Sequence, residues 1–154
     1  MSQAHQQLTD REETPPGIRR MQMQIPAART HLPGVAEVVR AFGLESDWPE
    51  DFFLHIDLIL EELLVNIMDY AYPDRSPGDI HLTLETHPDR VLIKLQDDGV
   101  RFDPFGHVSP VLALPLADRP IGGLGIHLVR CLTEFQSYQY LDGLNQVELS
   151  KRLV

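Results

Sequence analysis

Two hydrophobic periods alternate along the chain, and the switches between them mark its elements. Met21, Met23 and Ile25 alternate with Arg20, Gln22 and Gln24, which predicts a strand ended by Pro26. From Ala27 to Phe42 the positions Leu32, Val35, Val38, Val39 and Phe42 fall at helical spacing. Pro33 lies in the first turns of that helix, and Gly43 reads as its C-cap. A longer helix opens at Ser46 or Asp47 with Pro49 and runs to about Tyr72, where Pro73 stops it. Its core face is Ile56, Ile59, Leu60, Leu63, Leu64, Ile67 and Ala71, with Trp48 and Phe52 packing at its start.

The second half returns to period two. Residues 80–85 and 91–96 alternate around His87-Pro88-Asp89-Arg90, which predicts a β-hairpin. Residues 105–121, broken by Pro110, Pro115 and Pro120, read as a long loop with a short helix around Val111-Leu112-Ala113-Leu114. The apolar run from Val111 to Leu116 suggests a lid or partner contact, with core packing as the alternative. Gly122-Gly123-Leu124-Gly125 opens a helix to about Thr133. Residues 135–140 and 146–150 form a last hairpin turning at Asp142-Gly143. The order β-α-α-β-β-loop-α-β-β predicts an α+β two-layer sandwich, with a mostly antiparallel sheet and helices on one face. Residues 1–17 are polar and read as a disordered tail, leaving residues 18–154 as one domain.

A polar seam runs along the long helix. Glu62, Asn66 and Asp69 stand at i, i+4 and i+7 on one face, away from the core positions. Apolar Leu58 and Val65 border them, so the seam predicts a lined cavity rather than an ordinary solvated face.

Composition narrows the classes. The formal net charge of −10 argues against a nonspecific nucleic-acid binder, but not against a nucleotide held by backbone amides and a metal ion. The single cysteine, Cys131, sits in an apolar helical run and reads as a small core residue. No apolar run reaches the ~18 residues that span a bilayer, and no signal-peptide pattern opens the chain, so a cytoplasmic protein is expected.

Three segments carry the candidate chemistry, each of a kind that is often merely structural: the Glu62/Asn66 helix, the Asp97-Asp98-Gly99 turn after a strand, and the Gly122-Gly123-Leu124-Gly125 turn before a helix. Asn66 offers a neutral oxygen to Mg²⁺, Asp97 follows a strand and can accept from an exocyclic amine, and Gly99 is expected to remove a Cβ that would block a base. Gly123 and Gly125 let the backbone approach phosphates at a helix N-terminus.

In their order and spacing these segments resemble the GHKL ATP-binding superfamily of the Bergerat fold, and more closely the bacterial anti-sigma-factor serine kinases. The likeness covers about Met23 to Leu153. Glu62 to Asn66 with Ala71-Tyr72 is similar to that family's N box. Asp97-Asp98-Gly99 with Phe102-Asp103-Pro104 is similar to its first glycine box, and Gly122-Gly123-Leu124-Gly125-Ile126 to its second. Tyr70 stands where the family usually has histidine, and Arg101 where it often has a second glycine.

The resemblance implies ATP and Mg²⁺ as ligands. It implies Glu62 as the catalytic carboxylate and Asn66 as the metal ligand. Asp97, Gly99, Phe102, Gly122, Gly123, Leu124 and Gly125 become the nucleotide contacts, Asp97 meeting adenine N6. Arg119, about two positions from the family's γ-phosphate arginine, is a further candidate, with a plain solvated loop arginine as the alternative. The implied partners are a serine-bearing STAS-domain anti-anti-sigma protein, a sigma factor and a second copy of the chain, with no direct contact to nucleic acid or membrane. A non-catalytic ATP-gated binding module is the alternative from another class. A sensor histidine kinase domain fits less well, because the chain lacks room for a phosphoacceptor hairpin.

Overall fold

The computed structural model describes residues 14–74, 77–106 and 124–154. Residues 1–13 of the expected tail, the Val111–Leu116 segment, Arg119, Gly122 and Gly123 lie outside the described residues. Pro15 to Ile18 form a turn, closed by the Ile18 amide on the Pro15 carbonyl, that leads into the first strand.

The described residues form β1 (Arg19–Pro26), a 3-10 turn (Arg29–His31), α1 (Leu32–Glu45), α2 (Glu50–Asn66), a π-helical turn (Ile67–Ala71), β2 (Asp79–Thr86), β3 (Arg90–Asp97), α3 (Gly125–Leu132), β4 (Phe135–Leu141) and β5 (Leu144–Arg152). The strands make one sheet in the order β1-β2-β3-β5-β4, and each neighbouring pair is antiparallel. This is the α+β sandwich expected from the element order.

The register explains the core. Met21 faces Leu84, Leu82 faces Leu95, Ile93 faces Leu149 and Leu95 faces Val147, so one side of the sheet is a continuous apolar surface. Ile56, Ile59, Leu63, Leu64 and Ile67 of the long helix cover it and are almost completely buried. That row turns polar at one end. Ile80 pairs with Asp97, and Asp97 pairs with Asn145, so two buried polar side chains take the last core-facing places.

The end of α1 differs from expectation. Gly43 lies inside the helix, not at its C-cap. The left-handed residue is Asp47, with φ 55°, and the Trp48 and Asp47 amides close back on the Gly43 and Leu44 carbonyls. Trp48 then packs edge-on against Phe42 with centroids 5.7 Å apart. A Cβ on Gly43 would overlap the Trp48 and Phe53 rings, so packing requires that glycine. The Asp142-Gly143 turn is as expected: both residues have positive φ, 53° and 78°, matching a type I′ hairpin.

Cys131 is not a core residue. It is exposed on α3, where Val129 is the buried residue, and its Sγ lies 3.7 Å from His127 Nε2. No helix among the described residues is long and apolar enough to cross a membrane.

Candidate functional site

The long helix is the spine of the site. Glu50 and Asp51 in the first turn of α2 complement its N-terminal dipole, and Pro73 follows its end. The α-helix ends at Asn66, and a π-turn carries the chain to Ala71. Isolated π-turns recur at functional sites because the wider turn re-aims side chains. Here it breaks the 3.6-residue spacing beyond Asn66, and Asp69 leaves the seam. Asp69 is exposed and pairs with Arg29 of the 3-10 turn at 2.6 Å. Glu62, Val65 and Asn66 stay half-buried.

Asn66 is oriented by its own helix. Its Nδ2 donates to the Glu62 carbonyl at 2.8 Å. A carbonyl can only accept, so the amide nitrogen must face it and Oδ1 faces away. An amide oxygen is of the neutral type that a hard cation can take as a ligand. Among the described residues no cluster of three His, Cys, Asp or Glu could hold a metal ion alone. The donor set fits a magnesium ion shared with phosphates and water better than an all-protein metal cage.

The Glu62 carboxylate reaches across to the start of α3. A Cβ on Gly125 would overlap the Glu62 carboxyl group. Gly125 is the first residue of α3 and Leu124 its N-cap, so the carboxylate sits where backbone amides have no helical partner. The seam of α2 and the second glycine turn therefore form one locus.

The end of the π-turn meets the first glycine turn. The Val100 amide donates to the Ala71 carbonyl at 2.8 Å. A Cβ on Gly99 would lie 2.5 Å from that oxygen and 2.7 Å from the Ala71 Cβ. Within the protein, the residue that Gly99 makes room for is Ala71. Tyr72 completes the junction, donating to Asp98 Oδ1 at 2.6 Å, with its ring against Gly78. Burial, helped by the bond to Asp98, pushes the Tyr72 hydroxyl far above its ordinary pKa, so it stays a donor.

Asp97 is 2% exposed and closes the sheet side. Its Oδ1 accepts from Asn145 Nδ2 at 2.9 Å and from the Gly99 amide at 3.0 Å. Oδ2 has no protein partner among the described residues. Burial raises the Asp97 carboxyl above its usual value, and the bonds from Asn145 and Gly99 oppose that rise. Phe102 donates its amide to Asn145 Oδ1 at 3.0 Å, and its ring stacks on Tyr70 with centroids 5.1 Å apart.

Of the residues singled out in the sequence, the structure brings Glu62 to Gly125, Gly99 to the end of the α2 spine, and Phe102 to Asp97 through Asn145. Asn145 itself escaped the sequence reading. Its signal was parity: it shares the core-facing register of Val147 and Leu149, where an amide is out of place.

Comparison with known proteins gives a consistent result. Residues 25–151 match the family described as the histidine kinase-like ATPase domain. The chain is 35% identical over 108 residues to the serine/threonine-protein kinase BtrW of Bordetella bronchiseptica, covering 70% of this chain and 76% of that one. It is 23% identical over 131 residues to the serine-protein kinase RsbW of Bacillus cereus (82% and 81% covered). Against RsbW of Bacillus thuringiensis identity is 27% over 136 residues, with the same coverage.

Proposed function

The chain belongs to the histidine kinase-like ATPase domain family, and from that premise we propose that it is an anti-sigma-factor kinase that transfers phosphate from MgATP to a serine of a STAS-domain antagonist. Its enzymatic class is that of a protein-serine kinase, as in its relatives. The observation that carries the reading is the Glu62 carboxylate standing at the start of α3, one helical turn from Asn66.

Each side chain has a part in this reaction. Asp97 Oδ2 accepts from the exocyclic amine of adenine, and Phe102, backed by Tyr70, walls that end of the site. The amides of Leu124 and Gly125, preceded by Gly122 and Gly123, receive the phosphates at the head of α3. Asn66 Oδ1 is the protein's ligand to magnesium. Magnesium held there would supply positive charge that offsets the negative charge of the phosphates during transfer. Glu62 orients the acceptor serine and takes its proton as the serine oxygen attacks the γ-phosphorus. The bond to the β–γ bridging oxygen breaks, and ADP leaves. Arg119 is proposed as an additional γ-phosphate contact. A second copy of the chain is the proposed standing partner, and a sigma factor is the proposed partner exchanged with the antagonist according to the antagonist's phosphorylation state.

The test uses the full chain, MgATP and a cognate STAS protein. Wild type transfers phosphate to a serine of that protein. Glu62→Ala abolishes transfer while its Kd for ATP stays within roughly threefold of wild type, because Glu62 acts on the acceptor rather than on the base. Tight ATP binding without labelling of any STAS protein would replace the kinase reading with that of an ATP-gated binding module.

A further inference from the structure

We infer that Asn145 is a positioning residue for nucleotide selectivity: by committing one oxygen of Asp97 and leaving the other open, it makes the site choose a 6-amino over a 6-oxo purine. This rests on the reading of Asp97 as the base-facing group.

Asn145 is 2% exposed and makes hydrogen bonds through both ends of its amide. Oδ1 accepts from the Phe102 amide at 3.0 Å and the Tyr138 hydroxyl at 2.6 Å. Nδ2 donates to Asp97 Oδ1 and to the Val100 carbonyl, each at 2.9 Å, with the Gly99 carbonyl at 3.4 Å. A backbone N–H only donates and a carbonyl only accepts, so Phe102 and Val100 together forbid the flipped amide. The donor end of Asn145 therefore faces Asp97 in any arrangement that keeps the turn.

That fixes what Asp97 can present. With Oδ1 already receiving two N–H groups, a proton on the carboxyl would have to sit on Oδ2. An ionised Oδ2 accepts and matches a 6-amino purine, whereas a protonated one donates and matches a 6-oxo purine. The donor on Asn145 favours the ionised form, as hydrogen bonds to a carboxylate do. It also stops the carboxyl from rotating. The same side chain ties β5 to the turn after β3, and Tyr138 ties it to β4. Selectivity for the base is thus carried partly by a residue that need not touch it.

The experiment measures Kd for ATP and for ITP, which differ at purine position 6, on the full chain and on two variants. Asn145→Asp keeps the oxygen that accepts from Phe102 and Tyr138 but replaces the donor facing Asp97 with a second acceptor. Tyr138→Phe removes one bond to Oδ1 and spares the fold if Asn145→Asp proves unstable. The expected result is a fall in the ATP-over-ITP preference of roughly tenfold or more for Asn145→Asp and of a few fold for Tyr138→Phe. If both nucleotides weaken in proportion and the preference is unchanged in both variants, Asn145 is only structural and the inference is wrong. If wild type itself binds ATP and ITP equally, the reading of Asp97 fails first and takes the inference with it.

Discussion

The Glu62 carboxylate occupies the space that a side chain at Gly125 would need. The atoms it displaces belong to the end of a flexible side chain, so Gly125→Ala moves Glu62 rather than breaking the fold. In the proposed role of Glu62 as proton acceptor, a shift that misplaces the reacting atoms by an ångström costs about 10²-fold in rate. Phosphate transfer to a STAS protein should fall by that order, with the melting temperature close to that of wild type. Unchanged transfer would separate Glu62 from the chemistry.

Gly99 is expected to behave in the opposite way. Its neighbour is the Ala71 backbone, which cannot swing aside. Gly99→Ala should destabilise the protein by about 1–3 kcal/mol, as overpacking does. Thermal unfolding checks this, and a melting temperature equal to that of wild type would show that the π-turn can retreat.

Asn66 is tested by the metal dependence of binding. Asn66→Ala removes Oδ1 and one bond to the Glu62 carbonyl. The Kd for ATP with magnesium should rise by about tenfold, a typical loss for one polar ligand contact, while the Kd in EDTA stays the same. Equal weakening in both conditions would assign Asn66 to the helix rather than to the metal.

The proposed contact of Asp97 with the base would link binding to pH. The Asp97 carboxyl is raised above the usual range by burial, against the bonds from Asn145 and Gly99. Because the folded pKa exceeds the unfolded one, its contribution to stability is complete below the unfolded pKa and is lost as pH rises through the folded one. ATP affinity runs the other way if Asp97 takes its proposed role: acidification through the folded pKa protonates Oδ2 and removes the proposed acceptor for adenine. Calorimetry from neutral pH downward should show ATP binding weakening above the pH of ~4 at which an unperturbed aspartate titrates. Asp97→Asn mimics the protonated form at neutral pH and should favour ITP over ATP; ATP preference kept in that variant would exclude Asp97 from base recognition.

Much of this was legible in advance because it is local. The period-two stretches, the helical apolar stripes and the Asp142-Gly143 turn each depend on residues within a few positions of one another. So do Glu62 and Asn66, one turn apart on a helix, and the glycines flanking α3. The sequence by itself therefore determined the element order, the α+β class and the three segments from which the site is built.

What only the tertiary structure decided was which side chains meet. Asn145 faces Asp97 because β5 pairs with β3 in one register, and a slip of one residue would have turned it to the other face. Asp69 leaves the seam because the chain widens into a π-turn and Arg29 waits beside it. Gly99 makes room for Ala71, and Cys131 points outward rather than into the core. Each outcome depends on pairing between residues distant in sequence. Local periodicity carries no information about that pairing until the sheet register and helix packing are set.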